Sequence, residues 1–189
     1  MRHKYETRGI VLARTHGGEA TTFVTLLTSD LGLVQARAQS LRKSGAKLAH
    51  ALTTFAESSV VLVHGKDGWR VTGSVLEENW FVLIPSPDTR AAAARVSGLL
   101  LRLVAGEVQE SKLFIIMRGF LGALAELPED FHESVEILAV LRILAVLGLD
   151  SGEIPGEVGD FTEMILARIK LGRAAYVVRI NNGITASGL

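Results

Sequence analysis

The chain has 189 residues, of which 48% are hydrophobic and 21% charged, and this composition excludes a disordered protein. Twenty basic residues balance twenty acidic ones, which argues against a wholly basic nucleic-acid binder, and the lack of cysteine excludes disulfides, thiolate metal sites and cysteine nucleophiles. Residues 1–80 carry a net charge of +3 and residues 81–189 a net charge of −3, which indicates two domains with different partners.

Five strand-like segments lie before residue 80. They are short, rich in Val, Ile, Thr and Leu, and separated by glycine turns. They cover residues 6–15, 21–28, 33–38, 57–63 and 69–76. The Ala- and Lys-rich stretch 43–51 could hold a short helix. The pattern predicts an α+β protein that opens with a five-stranded OB-fold β-barrel, since a β-sandwich would usually need more strands.

The texture becomes helical after Pro85 and Pro87, so we place a domain boundary there, with domains 1–82 and 83–189. Ser86 or Asp88 could cap a first helix that runs to about residue 105. Pro128 opens the third helix, which is apolar nearly all round and therefore lies at the centre of an all-α helical bundle. The other predicted helices are 111–127 with Ser111 as cap, 161–171 with Asp160 as cap, and 173–187, and Gly148 ends the third.

Catalytic patterns are weak throughout the chain. Two SxxK matches, at 40–43 and 44–47, lack their companion motifs, and no two histidines share a helix face. We therefore expect no enzyme, no catalytic residue, no metal and no cofactor. The first residues lack the apolar segment of a signal peptide, and the longest apolar stretch, 137–149, is interrupted by Arg142, so we expect a cytoplasmic protein with no membrane contact.

The most informative feature of the sequence is a basic segment between Asp30 and Glu57. No acidic residue lies between Asp30 and Glu57, and the interval carries Arg37, Arg42, Lys43 and Lys47. On an OB-fold this segment would run from the third strand into the barrel helix, and such folds bind single strands through a cationic groove and stacking side chains. The alternative is a solvated basic loop. Among the aromatics, Tyr5 and Trp69 lie at strand starts and could be exposed, but core packing is the role that we favour for each.

Three segments in the first half form an ordered series, YETRGIVLART, GGEATTFVTLLTSDLGLV and ARAQSLRKSGAKLAHALTTF, which continues in the glycine turn at 65 and in Val71-Thr72-Gly73. Through these segments, residues 5–52 resemble the N-terminal domain of the RecO family. The second half resembles the family mainly in its general residue pattern, at LRILAVLGL (141–149) and in the closing helix.

The resemblance implies a bacterial recombination mediator that hydrolyses no nucleotide and associates with the nucleoid. Such proteins bind single- and double-stranded DNA, anneal complementary strands, engage the C-terminal tail of single-stranded DNA-binding protein, and help load RecA together with RecR. It places the basic DNA-contacting segment at Arg42, Lys43 and Lys47, with Arg14 and Arg37 on neighbouring strands.

The chain departs from the family pattern in two informative places. Gln39 and Ser40 stand where the family often has a basic residue and a glycine, and the cysteine-free stretch 150–159 replaces a four-cysteine zinc module. The helical domain offers cations for an acidic tail, namely Arg102, Arg118, Arg142, Lys170 and Arg173. The neutral net charge leaves a second reading open, an OB-fold and helical adaptor that binds only proteins.

Overall fold

The computed structural model describes residues 3–17, 21–39, 48–104 and 109–189. Its contacts divide the chain into two compact units. The first, called the barrel unit, is Met1–Leu83 with Gly106–Phe114, and the second, called the helical unit, is Ile84–Ala105 with Ile115–Leu189.

The barrel unit contains five strands that close on themselves in the order β1-β2-β3-β5-β4. Their bounds are β1 Lys4–His16, β2 Thr21–Thr28, β3 Gly32–Gln39, β4 Ala56–Gly65 and β5 Gly68–Asn79. All pairs are antiparallel except β3 with β5, which is parallel at Ala36↔Trp69 and Arg37↔Arg70. The long β1 pairs with β4 through its first half and with β2 through its second. This connectivity confirms the predicted five-stranded OB-fold barrel.

The barrel core follows from the alternation of side chains along each strand. On β3, Val34, Ala36 and Ala38 are buried, while Gln35 and Gln39 between and beyond them are exposed. The same alternation on the other strands fills one cluster with aliphatic side chains, namely Val11, Val24, Leu26, Val60, Leu62 and Val71, and Leu52 joins it from the turn before β4. These side chains fill the interior of the barrel.

Residues between β3 and β4 only partly follow the predicted short helix. Its first residues, 43–47, lie outside the described residues, and Leu48–Ala51 form turns, so the predicted helix is wrong for that part. Phe55 then adopts a left-handed backbone with φ of 63°. Hydrogen bonds on both sides hold it, from its own N–H to Val11 O (2.8 Å) and from Trp80 N–H to its carbonyl (3.2 Å).

Six helices occur among the described residues. Their bounds are α1 Trp80–Leu83, α2 Pro87–Leu103, α3 Ser111–Glu126, α4 His132–Val146, α5 Glu163–Leu171 and α6 Arg173–Ala186, with a short 3-10 helix at Glu129–Phe131. Every residue of α4 from Val135 to Leu144 except Glu136 is buried, which confirms the predicted central helix. The four-residue α1 was not predicted, because one helical turn leaves no periodic pattern.

Helix boundaries agree with local capping chemistry. Ser86 rather than Asp88 caps α2, since its hydroxyl accepts a hydrogen bond from Thr89 N at 3.2 Å. Gly148, just past α4, has a φ of 74°, the left-handed conformation expected of a residue that ends a helix. The predicted cap Asp160 is wrong, because α5 starts later, after Thr162. None of the described helices is long and apolar enough to cross a membrane.

Candidate nucleic-acid interface

A row of outward-facing residues crosses the barrel near the β4–β5 turn. Cross-strand partners point to the same face of a sheet, so the pairings Phe23↔Arg37, Arg37↔Arg70, Arg70↔Val63 and Val63↔Lys4 place these five residues side by side. We call them the outer row. It runs from β2 through β3, β5 and β4 to β1 and contains three cations.

The three cations of the outer row lack carboxylate partners among the described residues. Lys4 and Arg70 are exposed, while Arg37 is half-buried and donates to the carbonyl of Asp67 at 2.9 Å. Arg37 and Arg70 are direct neighbours, and like charges opposite each other destabilise a sheet. A bound anion would remove that repulsion.

Aromatic rings lie beside the row, at the same end of the barrel. Trp69 packs partly against the barrel core and meets two rings edge-on, Tyr5 at a centroid distance of 5.2 Å and His64 at 4.7 Å. Tyr5 is 38% exposed. The three rings therefore close this end of the barrel, with Trp69 packed against the core and the Tyr5 ring partly exposed to solvent.

The β4–β5 turn completes this end. Lys66 and Asp67 are exposed between Gly65 and Gly68, and Gly68 has a φ of 85°, a conformation that favours glycine. An open cleft of about 570 Å³ is lined by this turn together with Arg37, Gln39, His64, Trp69 and Arg70. Asp67 is the acidic residue among the lining residues. We call this cleft the turn cleft.

The other end of the β4–β5 hairpin has the opposite character. Glu57, fully buried, accepts hydrogen bonds from the Arg8 guanidinium and from Trp80 Nε1 (3.2 Å). Across the barrel, Asp30 accepts from the hydroxyls of Ser29 and Thr7, both at 2.6 Å, and these bonds lower the pKa of the Asp30 carboxyl. The two carboxylates stabilise the barrel itself.

The structure separates the predicted DNA-contacting residues. Arg37 lies on the outer face, in the outer row. Arg14 pairs with the core residue Val24, so its stem points to the inner face, and its Nε is buried with no hydrogen-bond partner among the described residues. Arg42, Lys43 and Lys47 lie outside the described residues, directly after the strand that carries Arg37.

Sequence reasoning missed Lys4, Lys66 and Arg70. No sequence pattern links Lys4 with the other two, because about 60 residues separate them and only the register of β1, β4 and β5 brings Lys4 close to Arg70. The glycine turn at residue 65 could be identified from the sequence. Because such a turn fixes the pairing of the two strands that it joins, it could have indicated that Arg70 lies opposite Val63.

The cations predicted to receive a protein tail differ in burial and in their partners. Arg142 is only 3% exposed, donates to the carbonyl of Pro155 at 3.1 Å and lies 4.9 Å from the Phe161 ring, so no docked peptide can reach it. Burial lowers its pKa to about 10. Arg173 donates to Glu133 at 2.8 Å. The exposed Arg118 and Lys170 lie on different helices, α3 and α5.

One groove of the helical unit does combine apolar and cationic residues. It lies between α2, α4 and α6 and has a volume of about 490 Å³. Arg102, exposed and without a partner among the described residues, lies at its rim, and Arg95 at the same rim is held by a bidentate pair with Glu136 at 2.8 and 2.7 Å. The apolar lining comprises Val96, Leu99, Val140 and Ile184, with Gly98 between them.

The stretch 150–159 is held by side chains. Arg179 donates from Nε to Asp150 Oδ1 at 3.0 Å and from Nη1 to the carbonyl of Glu153 at 2.9 Å, and the hydrogen bonds from Arg179 to Asp150 lower the pKa of the Asp150 carboxyl. Arg142 also fixes this stretch, because it donates a hydrogen bond to the carbonyl of Pro155. Among the described residues, no cluster of three potential metal ligands occurs.

Topology, outer row and turn cleft together define the class of the protein, an OB-fold barrel unit followed by a helical unit. Residues 1–75 match the family model described as "Recombination protein O N terminal". Three similar curated proteins each carry the name "DNA repair protein RecO". One from Dehalococcoides mccartyi strain 195 is 35% identical over 61% of this chain and 46% of its own length, one from Roseiflexus is 32% identical over 64% and 42%, and one from Nostoc is 27% identical over 79% and 51%.

The chain is similar to the RecO family. The family model matches the part of the barrel unit up to residue 75, and the relatives extend the similarity into the helical unit. The chain spans about half the length of the curated relatives that it matches.

Proposed function

We propose that this protein is a recombinational DNA-repair mediator that binds single-stranded DNA with the barrel unit. The observation that carries the proposal is the set of cations around the turn cleft, Arg37, Lys66 and Arg70, which have no carboxylate partner among the described residues and lie near the exposed ring of Tyr5. OB-folds bind oligonucleotides on the face of strands two and three and on the loop between strands four and five, where these residues lie. Cations would contact phosphates and the ring a base.

The DNA-contacting surface also includes the basic segment Arg42, Lys43 and Lys47. These residues follow β3 and so continue from Arg37 and Gln39, which line the turn cleft. Their role remains a prediction from the sequence and from the family resemblance.

Salt-dependent DNA binding tests the proposal. The fluorescence anisotropy of labelled single-stranded DNA is titrated at two salt concentrations for the wild type, for Arg37→Ala/Lys66→Ala and for Arg42→Ala/Lys43→Ala/Lys47→Ala. Contact with about four phosphates predicts a slope of log K against log salt near −3. Each variant is expected to bind about tenfold more weakly with a shallower slope. The matched control is Arg168→Glu, which changes the charge by two units on an exposed position of α5.

Failure has a defined meaning. If the wild type does not bind single-stranded DNA even at low salt, the mediator proposal is wrong, and the adaptor that binds only proteins takes its place. If it binds, annealing is measured next, as the loss of donor fluorescence when two complementary labelled strands pair. Annealing, binding of duplex DNA and RecA loading with RecR, all without catalysis and in the bacterial cytoplasm, belong to the proposal through the resemblance to the RecO family.

The groove between α2, α4 and α6 is our proposed receptor for the acidic tail of single-stranded DNA-binding protein. An acidic peptide that ends in an apolar side chain needs an apolar floor and a free cation, and Arg102 is that cation. A labelled tail peptide is expected to bind the wild type and to bind Arg102→Ala at least tenfold more weakly, whereas Arg168→Ala, on a different helix, should bind as the wild type does. Equal binding by Arg102→Ala would refute this assignment. No surface is assigned to RecR.

A further inference from the structure

A second groove lies on the outer surface of β1, β4 and β5. It has a volume of about 380 Å³ and is lined by Lys4, Val61, Val63, Arg70 and Thr72, with Gly73. We call it the side groove. It differs from the usual oligonucleotide face of an OB-fold, which is formed by strands two and three and the loops beside them.

The chemistry of the side groove suits a phosphodiester chain. Lys4 and Arg70 are exposed at its edges and have no carboxylate partner among the described residues. Val61 and Val63 form an apolar floor between them. The Thr72 hydroxyl donates a hydrogen bond to the carbonyl of Val61 at 3.2 Å. Cations at the rim with an apolar floor match a strand that alternates phosphates with sugars and bases.

The side groove and the turn cleft are continuous. Arg70 lines both, and its strand neighbour Arg37 belongs to the turn cleft. Adjacent strands lie about 4.8 Å apart, so the outer row from Phe23 to Lys4 crosses four such steps and extends for about 19 Å. Two adjacent arginines, Arg37 and Arg70, lie on this path, and neither forms an ion pair with a carboxylate of the described residues.

Only one acidic side chain lies close to the side groove on β1. Glu6 is exposed, and it faces Val61 across the β1–β4 pairing, whereas Lys4 faces Val63. Alternation along the strand puts Lys4 and Glu6 on the same outer face. The carboxylate of Glu6 therefore repels a phosphate at the end of the groove that is farther from the turn.

From these observations we infer that the single strand continues past the β2–β3 face and runs across β5 and β4 to Lys4. This inference rests on the proposed function, and it extends the strand path to residues that belong to no recognised motif. The side groove then determines how long a strand must be for full affinity. The cations of the outer row act as one phosphate-binding track around the barrel.

A length series separates this inference from the proposal on which it rests. Oligothymidines of roughly 4 to 16 nucleotides, the range of site sizes in OB-folds, are titrated against the wild type and Lys4→Ala/Arg70→Ala. The double variant is expected to bind the longest oligonucleotide about tenfold more weakly and the shortest, which loses only the Arg70 contact at the turn cleft, about threefold more weakly. Its salt slope for the longest should be shallower by about 1.4, which corresponds to two phosphate contacts.

Two further variants make the test independent of folding. Glu6→Gln removes the repelling carboxylate and is expected to bind the longest oligonucleotide about two- to threefold more tightly, with no gain for the shortest. Arg168→Glu is the charge-matched control and should leave the length dependence of affinity unchanged. Thermal melts of all variants confirm that the barrel is intact.

The outcomes divide cleanly. If the wild type binds no oligonucleotide of any length, the proposed function itself fails. If it binds, but Lys4→Ala/Arg70→Ala keeps the wild-type ratio of longest to shortest affinity, the extended path is wrong and the strand ends at the turn cleft.

Discussion

Basic side chains meet different partners in the two units. In the helical unit, Arg95, Arg173 and Arg179 each donate to a carboxylate of the same unit. At the turn end of the barrel, Lys66 and Arg70 have no such partner among the described residues. The net charge of a unit therefore does not show which of its cations can bind a ligand. In the acidic helical unit, several arginines already form ion pairs with carboxylates of the same unit. The comparison predicts that removing an arginine lowers the stability in one unit and the DNA affinity in the other.

The largest effect is expected at Arg142, the most deeply buried cation of the helical unit. Arg142→Ala removes the hydrogen bond to Pro155 and the contact with Phe161 and leaves a cavity. We expect the free energy of unfolding in urea to fall by about 2–4 kcal/mol. Binding of single-stranded DNA should stay at the wild-type level, and a loss of DNA affinity in the folded variant would contradict the comparison.

Arg142→Met is the matched variant, because it keeps most of the volume and removes the charge. Burial lowers the pKa of Arg142 to about 10, so the folded state disfavours the charged form relative to the unfolded chain. The resulting destabilisation is complete below that pH and lessens as the pH rises above it. Arg142→Met should therefore lie within about 1.5 kcal/mol of the wild type at neutral pH.

The barrel was predictable because its strands alternate and glycine turns separate them. The central helix was predictable from its apolar surface. The burial of Arg142 could not be predicted from the sequence, because one arginine in an apolar helix usually indicates a surface position. Its burial is explained by the stretch 150–159, which covers it. No pattern within that stretch predicts where it packs.

The candidate site was predictable only in part. Arg37 was identified from a basic interval in the sequence, but Lys4 and Arg70 join it only through strand register. Register depends on every pairing around the closed barrel, including the bulges near Val11 and Val61. A sequence without known pairings cannot specify the outer row.

The next effect concerns Arg8, the barrel cation that behaves like those of the helical unit. Glu57→Gln removes the charge that receives the Arg8 hydrogen bond at a fully buried position. We expect a loss of about 1–3 kcal/mol in urea unfolding and no change in DNA binding. Arg8→Gln, at a position whose side chain is 46% exposed, should also leave DNA affinity unchanged. Weaker DNA binding by either folded variant would place Arg8 among the ligand-binding cations instead.

A smaller and pH-dependent effect is expected for the pair of Asp150 and Arg179. The hydrogen bond from Arg179 lowers the pKa of Asp150 below its unfolded value, so the pair stabilises the fold above about pH 4 and loses this contribution as the pH falls through the lowered pKa. Asp150→Asn should cost about 1–2 kcal/mol at pH 7. The difference from the wild type in urea unfolding should shrink at pH 3, and a constant difference would show that charge is not the cause.

The smallest effect is a gain in stability at Gly98, in the middle of α2 and in the lining of the groove proposed for the acidic tail. A Cβ added there meets no atom within 4 Å, so Gly98→Ala should raise the free energy of unfolding by about 0.5–1 kcal/mol through helix propensity alone. Gly183→Ala in α6 is the control, because its Cβ would lie 3.0 Å from Leu144 Cδ1 and from Leu149 O and should destabilise the fold.

The same position then probes the groove without harming the fold. Gly98→Gln also gains helix propensity, but its longer side chain extends into the space between Arg102 and Val140. Tail-peptide binding should survive in Gly98→Ala and weaken at least fivefold in Gly98→Gln, while both variants bind single-stranded DNA as the wild type does. Equal peptide binding by the two variants would move the receptor away from this groove, because a peptide that lay in it could not avoid the added side chain.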